Sequence, residues 1–151
     1  VSLHITVAGT PRPQGSKRPV RNKHTGRIHM VESSERLPDW RADIRDAAMR
    51  AVDGVPTSAY WERPLVVGIQ FRLARPKSHY LPANTRRTAP ELRPEAPTHP
   101  AGKPDTDKLI RAVLDALTGL VWRDDAQVVD ILARKVYGER PGAEITVSEA
   151  P

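Results

Sequence analysis

The sequence predicts an α/β (α+β) fold: a single mixed β-sheet of about four strands with two helices packed against it, in the order β-α-β-α-β-β. Three observations carry this. Leu65, Val67, Ile69, Phe71 and Leu73 alternate strictly with Val66, Gly68, Gln70 and Arg72, the period of a half-buried strand. Leu109, Ile110, Val113, Leu114 and Leu117 recur at the spacing of one helix face. Finally, 151 residues suffice for one core and are too few for two comfortable ones, so residues 1–151 are expected to form a single domain.

The elements follow in order. Leu3, Ile5 and Val7 alternate with Ser2, His4 and Thr6, which predicts a first strand. From Val1 to Val31 there is no acidic residue, while Arg12, Lys17, Arg18, Arg21, Lys23 and Arg27 accumulate. Broken by Pro and Gly, residues 11–29 are expected to be a mobile basic loop. Trp40, Ile44, Ala47, Ala48 and Ala51 predict a helix from about Leu37 to Val52, with Pro38 in its first turn and Asp53-Gly54 as its stop. The alternating strand from Leu65 to Leu73 comes next. Residues 76–104 then hold seven prolines, too many for a helix or a central strand, and predict a long Pro-rich loop.

A second helix is expected from Asp105 or Thr106 to about Thr118, with Gly119 just past it. At ~100° per residue, Asp107 and Arg111 share the flank of its apolar stripe and Asp115 faces away toward solvent. The segments AQVVDILARKVY and AEITVS both favour strands, and the GERPG turn between them predicts a hairpin.

Composition narrows the function. With 24 Lys+Arg against 18 Asp+Glu the net charge is +6, which favours a polyanionic partner. There is no cysteine, so disulfides, thiolate metal sites and cysteine nucleophiles are excluded. The longest apolar runs are too short to span a membrane, and VSLHITVAGT lacks the pattern of a signal peptide. The expected place is the cytosol. The five histidines show no metal spacing, and QGSKR lacks the remaining glycines of a phosphate loop. Trp40 and Trp122 are expected in a core or an interface, and Trp61 beside the strand that follows it.

The unusual feature is KPDTDKLIRAVLDALTGLVWRDD, residues 103–125, which holds five aspartates in a basic chain. Each has an ordinary explanation. Asp105 suits a helix N-cap, Asp107 complements the helix dipole, and Asp124-Asp125 suit a turn. Taken together they suggest a metal site. An extended Pro104 would let Asp105 turn beside Asp107, and a strand lying alongside the helix would bring Asp125 back to them. Three carboxylates without Cys or His suit Mg²⁺, with Mn²⁺ as its substitute.

The motif K-P-D-x-D-K-L, the L-D-A-L of Leu114 to Leu117, and W-x-D-D-A-Q-V-V-D from Trp122 to Asp130 together resemble the RusA family. These are Holliday junction resolvases common in bacterial prophages and phages. The resemblance is dense over about residues 103–137 and looser elsewhere. It implies a homodimer that nicks two opposing strands of a four-way DNA junction, with divalent metal on Asp105, Asp107 and Asp125. Two positions depart from the family pattern. The family often has Asn after the second Asp and Lys four residues after it; here they are Lys108 and Arg111. Arg111 keeps the positive charge but does not readily release a proton. Lys108 and Arg111 are expected to neutralise charge at the phosphate, and Arg12, Lys17, Arg18, Arg21, Lys23 and Arg27 to grip the DNA backbone. The competing reading is a non-catalytic basic DNA-binding protein that retains the fold.

Overall fold

The computed structural model describes residues 2–15, 18–31, 36–55, 60 and 62–151. Strand β1 (Ser2–Ala8) leads to a short pair, β2 (Arg18–Arg21) and β3 (Ile28–Val31), and then to helix α1 (Leu37–Val52). Strand β4 (Leu65–Leu73), helix α2 (Thr106–Leu117), β5 (Val128–Tyr137) and β6 (Gly142–Glu149) follow. A four-stranded mixed sheet in the order β1-β6-β4-β5 carries the fold.

Both helices lie on one face of that sheet, because only that face is apolar. Leu3, Ile5 and Val7, then Val67, Ile69 and Phe71, then Ala143, Ile145 and Val147 are all buried there. Trp40 and Ile44 of α1 and Leu109, Val113 and Leu117 of α2 close the same core, as does Trp122. The stripe on α2 is rotated slightly from expectation. Ala112 and Ala116 are fully inside, whereas Ile110 and Leu114 are half-buried. Small side chains facing inward let α2 approach α1 closely. Trp40 and Trp122 are core residues; Trp61 lies outside the described residues.

Two expectations are corrected. The last two strands do not form a hairpin: β4 lies between them, parallel to β5 and antiparallel to β6. Residues 138–141 therefore step over the end of β4, where the Gly138 amide donates to the Leu73 carbonyl at 3.0 Å. The crossing is crowded, since a Cβ on Gly142 would run into the Val7 carbonyl oxygen.

The basic segment is also not loop throughout, since Arg18–Arg21 and Ile28–Val31 are strands. Its strands pair antiparallel with Arg21 opposite Ile28. Asn22 builds the turn: its Oδ1 accepts from the amides of His24 (2.8 Å) and Thr25 (3.1 Å), and Gly26 adopts φ +69°. The Pro-rich segment is likewise closed on itself, by a bridge between Tyr80 and Leu92 and by Arg93 donating to the Ser78 carbonyl at 3.1 Å.

Candidate metal and DNA site

Helix α2 begins as its sequence dictates. Asp105 is the N-cap in extended conformation (φ −69°, ψ 136°), and the Leu109 amide donates to its carbonyl at 3.1 Å. Its carboxylate, however, makes no capping hydrogen bond. It meets the Lys108 ammonium at 3.2 Å instead. Asp107 stands exposed in the first turn, where the helix dipole favours a negative charge. Among the described residues Asp107 and Arg111 form no ion pair, although they are one turn apart. Two exposed carboxylates thus stand at one helix end, Asp105 paired with Lys108 rather than spent on a capping hydrogen bond.

Asp125 is elsewhere. It opens a 3₁₀ turn (Asp125–Gln127) in which its neighbour Asp124 does the capping: Asp124 Oδ1 accepts from the Ala126 amide at 2.9 Å. Gln127 Oε1 accepts in return from the Asp124 amide at 2.9 Å. Asp125 itself is exposed and free of such bonds among the described residues. The two aspartates of the pair have therefore divided roles, one holding the turn and one facing solvent.

The expected return of Asp125 to the start of α2 within one chain does not occur. The reason is directional. Helix α2 runs 12 residues, about 18 Å, away from Asp105, and Trp122 is tied to the far end by its Nε1 donating to Thr118 Oγ1 at 3.1 Å. Strand β5 then runs back antiparallel to the helix. The residue of β5 that reaches the start of α2 is Lys135, whose Nζ donates to the carbonyls of Gly102 (2.8 Å) and Pro104 (2.9 Å). The seven strand steps from Val128 to Lys135 cover about 23 Å. Among the described residues no three His, Asp or Glu side chains lie close enough together to hold a metal ion.

Three contacts at this end of α2 escaped the sequence reading. Lys135 is one. It occupies a core-side position of β5, in line with Ile131, Ala133 and Tyr137 and paired to Phe71, where an apolar residue is normal. A lysine breaking that alternation was the available signal. Gln14 is the second: its amide donates to the Lys108 carbonyl at 2.9 Å, so the root of the basic segment lies on the first turns of α2. Its side chain also bonds to Arg41 of α1. Arg12 is the third, lining a cavity together with Lys103 and Pro104. Pro104 is itself joined to Lys103 by a cis peptide bond.

Of the other cations singled out, Arg21, Lys23 and Arg27 are exposed on the β2–β3 pair. Arg21 Nε donates to the Gly26 carbonyl at 3.3 Å, so this cation also supports the turn. Lys17, Ser16 and the side chain of Arg18 lie outside the described residues. Asp115 is exposed, as its place on the helix predicts, and it also has a partner. Its Oδ2 accepts from Arg41 at 2.8 Å, linking the two helices along their rim. No described helix is long and apolar enough to cross a membrane.

Comparison with known proteins adds an independent finding. The chain is 27% identical over 147 residues to a protein of Bacillus subtilis (strain 168) named uncharacterized protein YqaN, covering 97% of this chain and 96% of that one. Residues 9–148 match the model of the family described as endodeoxyribonuclease RusA. That span contains both aspartate motifs, the basic segment and three of the four strands of the sheet, β4, β5 and all but the last residue of β6, and begins just past β1. The chain therefore belongs to the RusA endodeoxyribonuclease family, whose activity is that of a Holliday junction resolvase.

Proposed function

We propose that this protein is a Mg²⁺-dependent endonuclease that acts as a homodimer and resolves four-way DNA junctions by paired, symmetric nicks. The observation that carries the reading is the start of α2. Asp105 and Asp107 are exposed carboxylates that neither cap the helix nor, for Asp107, pair with a cation among the described residues. They lie among Lys103, Lys108 and Arg111 in a chain of net charge +6. Hard oxygen donors of this kind fit Mg²⁺, which binds through one or two carboxylates and keeps several waters or phosphate oxygens. Bound there, the ion would supply an activated water and stabilise the departing oxygen.

The chain's own residues have separable parts. Asp105 and Asp107 hold the ion, and Asp125 serves as the third ligand. Lys108 and Arg111 neutralise charge that gathers on the phosphate during attack. Arg12, Arg18, Arg21, Lys23 and Arg27, with Lys17, hold the backbone and give position rather than sequence.

Within one chain Asp125 is about a helix length from the other two, which supports a site assembled from two copies. Strand β5 is the edge of the sheet, and Val129 and Leu132 on it are 62% and 77% exposed. An unpaired apolar edge is a template for pairing with another chain. Antiparallel pairing of two β5 strands would set the first residues of one beside the last residues of the other. Asp125 of one copy would then approach the end of β5 where Lys135 of the other fastens the start of α2. Two equivalent sites result, one for each opposing strand of the junction.

A second reading rests on the lack of a three-carboxylate cluster among the described residues of one chain: a protein that binds branched DNA without cutting it. The deciding experiment is cleavage of an end-labelled four-way junction in Mg²⁺ beside a linear duplex of the same sequence. The nuclease reading expects junction-specific nicks from the parent, a loss of at least about a hundredfold in Asp107→Asn, and unimpaired junction binding by that variant in chelator. Binding without nicks by the parent favours the second reading.

A further inference from the structure

A cavity of about 420 Å³ lies between the chain leaving β1, the end of β4 and the segment that enters α2. Its walls include Pro11, Pro13, Pro76, Pro104, Leu73 and Tyr137. Arg12 and Lys103 are the charged residues that line it, and neither has an ion-pair partner among the described residues. Its lining holds no carboxylate among the described residues.

We propose that this cavity is a nucleotide subsite that takes one base of the cut strand, swung out of its stack, with Arg12 and Lys103 on the adjoining phosphate. The proposal rests on the nuclease reading above and adds to it the group that fixes the strand at the reacting centre.

Four features support it. The volume falls within the range of pockets that enclose a compact organic ligand. Proline rings and a tyrosine make an apolar lining, which suits a base and tolerates any of the four. Two cations without a neighbouring acid favour an anionic ligand, so an aromatic group joined to a phosphate meets both halves of the lining. The position is the fourth: Lys103 and Pro104 line the cavity and lead directly into Asp105. A nucleotide seated here has its phosphate next to the proposed metal ligands.

The tyrosine is held ready for this task. The Arg75 guanidinium lies 4.3 Å from the centre of the Tyr137 ring, and the His79 ring meets it edge-on at 5.5 Å and 88°. A ring fixed on two sides loses little freedom when a base stacks on it. Swinging a base out of a helix costs least where its stacking is already broken, as it is at the branch of a junction.

The test scans single abasic positions through the strand around the cleavage site of a four-way junction. Junction affinity is measured in chelator, apart from any cutting. For the parent protein, removal of the base at one position is expected to weaken binding by roughly tenfold, the size of one base stacked on an aromatic ring. In Tyr137→Ala that position should lose its effect, with less than about a twofold change. Should Tyr137→Ala fold poorly, Gly102→Phe asks the same question from the rim. Gly102 lines the cavity, and a Cβ there meets no atom within 4 Å. Filling the space should remove the same base dependence. Equal abasic effects in parent and variants at every position overturn the subsite and leave the nuclease reading standing. A parent that neither binds nor cuts junctions overturns the nuclease reading and the subsite with it.

Discussion

Lys108 holds Asp105 at 3.2 Å, so the N-cap carboxylate of α2 is neutralised by a cation three residues on rather than spent on the backbone. Both side chains are nearly half exposed, at 44% and 46%. Such a pair is worth well under ~1 kcal/mol, so it opens easily for a stronger partner. Lys108 thus competes for the carboxylate with any metal, yet stands ready to meet a phosphate. Lys108→Met should lower the Mg²⁺ concentration needed for half-maximal nicking by a few-fold and reduce the maximal rate. A Mg²⁺ titration of junction cleavage reads both, and no change in either would remove Lys108 from the site.

Asp115 shows how a solvent-side residue acquires a task from a second helix. Its hydrogen bond from Arg41 joins α2 to α1, and the Gln14 side chain meets the same guanidinium. Arg41 and Asp115 are about a third exposed, so solvent screens the pair. Asp115→Asn is expected to lower unfolding stability by no more than ~1 kcal/mol while leaving the nicking rate within about twofold. Denaturant unfolding beside the cleavage assay separates the two. A severe loss of cutting with unchanged stability would move Asp115 into the site.

Local signals placed α2 well. Pro104, the extended Asp105, the apolar stripe and Gly119 define a helix from its own residues, and the structure follows them nearly to the residue. The strand from Leu65 to Leu73 was equally plain, because alternation is a local property. Partner choice is not local. Residues 138–141 look like a hairpin turn in isolation, and only the insertion of β4 between β5 and β6 makes them a crossing. The same nonlocality hid the end of α2 to which Asp125 returns. Which helix end a strand reaches depends on direction, and aspartate spacing carries no direction. Lys135 was the one residue that could have revealed it, as a cation on the core side of a strand.

The β2–β3 pair gives the basic segment a definite surface. Lys23 and Arg27 stand exposed around the Asn22 turn and carry none of its hydrogen bonds through their side chains. Replacing both by Ala should preserve folding and weaken junction affinity. The slope of log affinity against log salt should fall by about one unit for each phosphate that is no longer neutralised. An unchanged slope would show that this turn does not touch DNA. Arg21 is a poorer probe, since its guanidinium also supports Gly26.

Glu144 ties the outer face of the sheet to acid stability. Burial pushes its carboxyl up, but hydrogen bonds from Arg72 and Thr6, with the Arg72 charge, outweigh this and hold it below the ordinary 4.5. Arg72 donates at 2.8 Å and Thr6 at 2.8 Å. A carboxylate lowered in the folded state contributes stability above its unfolded value and loses it as pH falls through the folded one. Melting temperature should therefore drop as pH is taken from about 5 down through 4 and below. The drop should be shallower in Glu144→Gln, and modest in both, since the side chain is 41% exposed. Parallel melting profiles for parent and variant would detach Glu144 from the acid response.

The separation of Asp125 from Asp105 and Asp107 permits a test that no single variant offers. Asp107→Asn and Asp125→Asn are each expected to be inactive as pure proteins, because every site in either dimer lacks one ligand. Mixing them under conditions that exchange subunits forms dimers with one copy of each. If each site draws Asp105 and Asp107 from one copy and Asp125 from the other, one site of the mixed dimer loses both altered ligands. Its second site is wholly intact. Nicking of one junction strand should return, without the paired cut on the opposing strand. If all three ligands act within one chain, both sites of the mixed dimer remain broken and mixing restores nothing. Leu132→Asp supplies the matching physical control. Placed on the exposed edge of β5, it should shift the protein toward monomer in sedimentation and abolish restoration, while leaving the buried core untouched. Restored nicking by a mixture that stays monomeric would refute the shared site.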